Sequence, residues 1–301
     1  MPVTLHPISR RRFLAGSIVA GISVAISRYG FADSASADPH RFALLSDTHI
    51  AADRTAHERG VTMYDHLKQA IGEVAAMSPA PAAMIVNGDC AYHFGKSEDY
   101  QQFVGLIEPI RKAGWPIHLA MGNHDDRPNF WNALPGDSDR VKSLDDRQVL
   151  VIETPAADWI MLDSLDKTNS TPGILGKAQL DWLAAELDHR KERKIIVMVH
   201  HQPDTREKVE GLIDTPQLLE TLLPRKQVKA LLYGHTHEWR VEKREDLHCI
   251  NLPAVAYVFK EGEPSGWTDA HVSEDSLTLE LHCLDKTHPK NGDTHKLIFR
   301  T

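Results

Sequence analysis

The chain has 301 residues, 42% of them hydrophobic and 25% charged, a globular balance that argues against a disordered or fibrous protein. Its formal charge of −8 disfavours a nucleic-acid backbone as a bulk partner. Beyond the N-terminus no stretch is apolar and long enough to cross a bilayer.

Arg10, Arg11 and Arg12 precede Phe13-Leu14-Ala15-Gly16 and a mildly apolar run through Ile26. Ala35-Ser36-Ala37 then offers small residues for cleavage before Asp38. This order resembles a twin-arginine export signal, with Arg11 and Arg12 as the pair. The resemblance implies a signal peptide over residues 1–37, recognition by export machinery, transport after folding and a periplasmic mature chain. An uncleaved membrane anchor and a basic cytosolic tail are the alternatives. Removing residues 1–37 takes away four arginines and one aspartate, so the rest stands at −11 and is still less suited to nucleic acid.

From Arg41 onward, short runs rich in Ile, Val, Leu and Met predict buried strands at 42–46, 83–87, 117–121, 195–199 and 228–233. Helical spacing falls between them at 62–77, 97–113 and 177–190, where Leu180, Leu183 and Leu187 share one face. Thr215-Pro216 reads as an N-cap followed by proline at the first helical position. This alternation argues for an α/β domain. Further strands at 248–258, 270–272, 277–284 and 296–300 are expected to pair antiparallel and complete a second sheet. With no repeat and no linker in the sequence, residues 38–301 read as one domain.

Each of the five apolar runs ends at a polar cluster. Asp47-Thr48-His49 follows the first, Gly88-Asp89 the second and Gly122-Asn123-His124-Asp125 the third; His200-His201 and Gly234-His235-Thr236-His237 follow the last two. Ligands in open α/β folds sit outside the carboxyl ends of strands, so five such clusters converge on one rim. Imidazole and carboxylate donors suit first-row metals without any thiolate. Asp47 and His49, two residues apart, would point to one side of a plain strand, as would His235 and His237. Gly88, Gly122 and Gly234 each precede a ligand candidate, where the chain must turn tightly.

The ordered series Asp-x-His, Gly-Asp, Gly-Asn-His-Asp, His and Gly-His-x-His, from Asp47 to His237, resembles the calcineurin-like metallophosphoesterase superfamily. That resemblance implies a four-layer α/β/β/α sandwich of two mixed sheets with a dinuclear centre bridged by Asp89. Asp47, His49 and His237 would complete the first ion, and Asn123, His200 and His235 the second. His201 would stand behind them or be exposed. His124 would stay off the metals and serve the phosphate or the leaving oxygen, oriented by Asp125. The ions would be iron, manganese, zinc or cobalt, and a metal-bound hydroxide would attack a small-molecule phosphate ester. Compact chains with these motifs resemble the cyclic nucleotide and glycerophosphodiester phosphodiesterase branch. A phosphomonoesterase scavenging phosphate is the rival enzyme, and a non-catalytic metal-binding protein the rival outside catalysis.

The physical logic stands beside the resemblance. An ester anion repels an anionic nucleophile, and two cations roughly 3.5–4 Å apart neutralise that charge and clamp both oxygens. Cys90 lacks the arginine that a thiol phosphatase needs after five intervening residues, Lys96 standing there, so it reads as an inert thiol. Three cysteines are too few for a disulfide framework, although a Cys249–Cys283 bridge is open in an oxidising compartment. His57, His66, His189 and His288 read as surface histidines, and His118 as a structural one. His93 is a candidate for substrate contact, and Arg127 for a phosphate or a salt bridge. Trp131, Trp182 and Trp239 read as packing groups. Whether 164–176 forms a lid over the site is open.

Overall fold

In the computed structural model, which describes residues 37–134 and 140–301, the first apolar run becomes β1 (Asp38–Leu45). Phe42 and Leu44 face one apolar layer, Ala43 and Leu45 another, and all four are fully buried. A strand covered on both faces needs no polar alternation and reads as a continuous apolar run. The signal-peptide segment falls, apart from Ala37, outside the described residues.

A ribbon of β2 (His57–Glu58) and β3 (Val61–Thr62) leads into α1 (Met63–Ala75), which buries Leu67, Ala70, Ile71 and Val74 at helical spacing. Then come β4 (Pro81–Asn87), α2 (Ser97–Lys112), β5 (Ile117–Ala120) and the short α3 (Arg127–Ala133). The second half begins with β6 (Leu150–Glu153) and β7 (Asp158–Leu162), then alternates α4 (Lys177–His189), β8 (Ile195–Val199), α5 (Thr215–Leu222) and β9 (Val228–Tyr233). It closes with β10 (Arg240–Arg244), β11 (Leu247–Asn251), β12 (Gly266–Val272), β13 (Ser276–Cys283) and β14 (Thr294–Ile298).

One sheet has the order β14-β13-β12-β1-β4-β5 and the other β10-β11-β9-β8-β7-β6. In the first, β1, β4 and β5 run parallel; in the second, β7, β8, β9 and β11 do. The remaining pairings in both sheets are antiparallel. Phe42, Ile85, Trp159, Met198 and Leu279 fill the layer between the sheets. α1 and α2 cover the outer face of the first sheet, and α4 and α5 that of the second. This is the four-layer α/β/β/α sandwich of two mixed sheets.

Several expectations change. Of the C-terminal strands expected to pair antiparallel in a second sheet, only β11 lies in that sheet, parallel to β9; β12, β13 and β14 extend the first, with Arg41 opposite His271 and Leu44 opposite Thr268. The strand expected over 248–258 stops at Asn251. Beyond it the Val255 and Ala256 N–H groups donate to the carbonyls of Ser46 and Asp47 at 2.9 and 3.0 Å, so this stretch braces the loop after β1. In α5, Asp214 is the N-cap and Thr215 the first helical residue, one position earlier than expected. The three cysteines are free thiols buried in three different apolar layers, which separates Cys249 from Cys283.

Candidate metal centre

The carboxyl ends of β1, β4, β5, β8 and β9 meet at one rim. Asp47 and His49 follow β1, Asp89 follows β4, Asn123 and His124 follow β5, His200 follows β8, and His235 and His237 follow β9. All are buried except His124 and His235, which are half-buried. Asp47 and His49 are not on a plain strand. β1 has ended at Leu45, and Asp47, His49, Asp89, His235 and His237 all lie in the left-handed region, at φ 54°, 45°, 50°, 69° and 55°. Such a conformation costs a non-glycine residue about 1–2 kcal/mol. The loops hold each other in it, with Asp47 N–H donating to Gly88 O at 3.1 Å and His49 N–H to Asp89 O at 2.9 Å. Gly88, at φ 87°, lets two loops touch: a Cβ there would lie 2.7 Å from both Gly122 N and His200 Nδ1. A Cβ on Gly122 would strike the Asp89 carboxylate.

Two clusters share Asp89. In the first, His237 Nε2 lies 3.3 Å from Asp47 Oδ1 and 3.0 Å from His49 Nε2, which is itself 3.6 Å from Asp89 Oδ2. In the second, His200 Nε2 is 3.3 Å from the same Asp89 oxygen, with the His235 ring 5.3 Å away, centroid to centroid. Potential ligand atoms of Asp47, His49 and His237, and those of Asp89, His200 and His235, lie within 4.8 Å of one another. Backbone carbonyls set the tautomers. His200 Nδ1 donates to Asn87 O at 2.8 Å and His237 Nδ1 to Tyr257 O at 2.5 Å, which turns both Nε2 atoms inward.

The electrostatics centre on the two carboxylates. Burial opposes their ionisation, but the His200 charge overrides it and holds Asp47 and Asp89 below the usual carboxylate range. Burial likewise opposes a charged His200, yet Asp89 and Asp47 draw it up to about 10. Burial takes His49 down to about 3 and, with the neighbouring His200, takes His235 to about 4. The rim therefore combines neutral His49 and His235 with carboxylates that hold positive charge on His200 and call for more between them. Three buried atoms of the donor residues, Asn123 Oδ1, His49 Nδ1 and His200 Nε2, make no hydrogen bond. Oxygen and imidazole donors of this kind, with no thiolate, fit first-row divalent ions.

Asp125 departs from the sequence expectation. Its carboxylate accepts from the N–H groups of Gly122, Cys90 and Ala91 at 2.9, 3.2 and 3.2 Å and from the Tyr100 hydroxyl at 3.0 Å. The His124 ring is oriented instead by the His93 carbonyl, 3.0 Å from Nδ1, while His124 N–H donates to Asp89 Oδ1 at 2.8 Å. His93 thus serves through its backbone. Arg127 forms a forked pair with buried Asp163, both bonds 2.9 Å, which resolves its two readings toward the salt bridge. His201 is fully buried, its Nδ1 2.8 Å from the Ser164 hydroxyl and its ring 4.6 Å from His235. Burial pushes the Cys90 thiol well up, consistent with an inert group.

Sequence reasoning missed Tyr257 and read His66 as a surface histidine. The Tyr257 ring stacks on His49, with centroids 5.1 Å apart, and half-buried His66 donates to the Ala256 carbonyl at 2.5 Å, tying α1 to the same stretch. A spacing pattern carries no trace of a backbone carbonyl used this way. Asn169, Ser170 and Thr171, from the segment left open as a lid, line a cavity of about 320 Å³ over Asp89, Asn123, His124 and His237. Asn169 N–H donates to Asn123 O at 2.5 Å, which fastens that segment to the β5 loop.

The model of the calcineurin-like phosphoesterase family matches residues 40–239, which contain every residue of both clusters. The chain belongs to this family. As a calcineurin-like phosphoesterase it is a metal-dependent phosphoric ester hydrolase, and the two clusters are its candidate dinuclear centre. It is 28% identical over 245 residues to the 3′,5′-cyclic adenosine monophosphate phosphodiesterase CpdA of Pseudomonas aeruginosa, covering 79% of this chain and 84% of that protein. It is 28% identical over 200 residues to a probable glycerophosphodiester phosphodiesterase GpdQ of Arcobacter nitrofigilis, covering 64% and 70%. A dimetal phosphatase from Danio rerio superposes with a TM-score of 0.66 at 14% identity, covering 87% and 99%, a likeness of fold alone.

Proposed function

We propose that this chain hydrolyses a phosphodiester at a dinuclear metal centre and acts outside the cytoplasm. The observation that carries the reading is the place of Asp89: one carboxylate oxygen faces His49 at 3.6 Å and His200 at 3.3 Å, at the junction of two donor clusters. Asp47, His49 and His237 would hold one ion with Asp89, and Asn123, His200 and His235 would hold the other. When bound, the two cations supply charge neutralisation and a water made acidic, with a pKa near ~7 at a favourable zinc site.

The chain's own groups complete the chemistry. With Nδ1 committed to the His93 carbonyl, His124 presents Nε2 to the cavity and delivers a proton from it to the departing alkoxide. The His124 N–H fixes the second Asp89 oxygen, so bridge and acid are positioned by one residue. Ser170 and Thr171 line the same cavity and offer hydroxyl donors to an ester oxygen bound there. The names of the cyclic nucleotide and glycerophosphodiester relatives support a diester over a monoester. The Arg11-Arg12 block, apolar run and small residues before Asp38 support export by the twin-arginine route to the periplasm.

The test is the rate of bis(p-nitrophenyl) phosphate hydrolysis beside p-nitrophenyl phosphate, using manganese-loaded protein spanning residues 38–301. Faster diester cleavage is expected. A preference for the monoester makes the chain a phosphomonoesterase, and no turnover with both ions bound removes the catalytic reading.

A further inference from the structure

Phe259 is 50% exposed, yet its ring is not free. It stacks on His237, with centroids 4.1 Å apart and planes inclined by 26°, and it meets the Tyr257 ring edge-on at 5.8 Å. The Arg59 guanidinium lies over the same ring, 4.9 Å from its centroid. With His237 against one face, the cation takes the other. The electron-rich face of a ring attracts a cation, and a planar, weakly hydrated guanidinium suits it. Arg59 reaches this place at the tip of the β2–β3 ribbon. Glu58 pairs with Val61, so Arg59 and Gly60 form a two-residue turn, both left-handed at φ 49° and 85°. The Tyr92 hydroxyl donates to Glu58 at 3.0 Å, which fastens the ribbon to the loop that follows Asp89. Among the described residues the Arg59 guanidinium pairs with no carboxylate, so nothing draws it off the ring.

Resting on the two-ion reading above, we infer that Arg59 and Phe259 are positioning residues that roof the first ion: they hold the His237 ring in place and so govern how fast that ion leaves. An imidazole must swing off its ion before the ion escapes. His237 is pinned at Nδ1 by the Tyr257 carbonyl and across its flat face by Phe259, and it is only 1% exposed. The outer half of Phe259 stands in water, so the cation above it is what keeps the ring down on His237. The second ion has no such cover. His235 is half-buried and lines both the metal basin and a neighbouring cavity of about 500 Å³. Its ring meets those of His200 and His201, at 5.3 and 4.6 Å, rather than an exposed aromatic. Two ions that share one carboxylate therefore leave by different routes, and the roof stands over one of them.

The experiment loads the protein with cobalt, adds excess EDTA and follows the cobalt retained per chain with time. Phe259→Ala is expected to speed the loss of one ion about tenfold or more, the scale on which groups that orient a metal ligand act, and to leave release of the other within about twofold. Arg59→Met, which keeps the stem without the charge, is expected to speed the same ion about threefold, and Arg59→Lys to restore most of the difference. The unaffected ion shows that each variant is folded. Proton NMR of the cobalt protein identifies the ion, because the shifted Nδ1 proton of His237 should exchange with water faster in Phe259→Ala and Arg59→Met. Equal acceleration of both ions, release or His237 proton exchange as slow as in wild type, or an Arg59→Lys indistinguishable from Arg59→Met overturns the roof while the two-ion reading stands. A wild type that takes up fewer than two cobalt ions per chain removes that reading and the roof with it.

Discussion

Replacing Asp125 by asparagine separates the role its sequence position suggests from the one its surroundings give it. Oδ2 accepts from Cys90 and Gly122, and Oδ1 from Ala91 and Tyr100, in a site with no exposure. Asparagine keeps one acceptor oxygen and turns an amino group toward two former donors. In the gentler orientation that group replaces Oδ1: the Tyr100 hydroxyl, which already accepts from the Asp126 N–H at 2.8 Å, loses the acceptor for its own proton, and the Ala91 N–H is left facing a donor. A buried unpaired N–H costs about 1–3 kcal/mol, and the surviving bonds weaken as a charged acceptor becomes neutral. Against this, burial and the Asp89 charge already push the carboxyl up to about 6, so neutralisation returns part of the loss. A net cost of about 2–3 kcal/mol corresponds to a Tm lower by about 5–10 °C in a domain of this size. Thermal unfolding and kcat at matched metal occupancy give the readout, with kcat expected within about tenfold of wild type. An unchanged Tm together with a kcat about a hundredfold lower would refute this reasoning and return Asp125 to the orientation of His124.

His124→Ala is expected to lower kcat by about 10²–10⁴-fold while metal analysis still finds two ions; loss of an ion would make His124 a ligand instead. Gly122→Ala drives a methyl group into the Asp89 carboxylate, and manganese titration should show affinity weakened about tenfold or more, whereas unchanged affinity refutes the contact. Asp204 is held below the ordinary carboxyl value, chiefly by Arg206 and then by the N–H groups of Arg206, Glu210 and Gly211, so its contribution is complete above the unfolded pKa and fades as acid titrates the folded group. Asp204→Asn should therefore lower Tm near neutrality, with the difference from wild type shrinking below about pH 4; a pH-independent difference contradicts the assignment. Chelation should lower Tm, since an ion present at a hundredfold its Kd stabilises the native state by about 2.7 kcal/mol. An unaltered Tm would show that the clusters do not hold ions in solution.

The sequence disclosed strand ends more faithfully than strand partners. Runs such as Ile195–Val199 are buried on both faces and stand out in any apolar profile, and the polar residues that follow them mark the rim. β7 escaped notice because it opens on Asp158, a buried carboxylate neutralised by Arg190 and Arg193 from beyond α4, a pairing with no local signature. The sheet membership of β12 was equally hidden, since its partner β1 lies more than two hundred residues earlier. Within the site, residue identities were legible because metals demand particular donor atoms. The left-handed backbone at Asp47 and His49 was not, because it depends on carbonyls of the next loop. The anchoring of His124 by a carbonyl rather than by Asp125 was hidden for the same reason: any residue at position 93 supplies a carbonyl.

The two clusters draw on both sheets. Asp47, His49 and Asp89 come from strands of one, His200, His235 and His237 from strands of the other, and between the sheets lies the layer where Phe42 meets Trp159 at 4.8 Å. The rim is thus a clasp closed over a hinge of packed side chains, and its jaws keep their spacing only while that layer keeps its thickness. A methylene shaved from Trp159 or Met198, neither of them a ligand, alters the gap between the jaws. The rate at which the chain exchanges its metals becomes a gauge of inter-sheet packing, sensitive to loosening that leaves every strand in place.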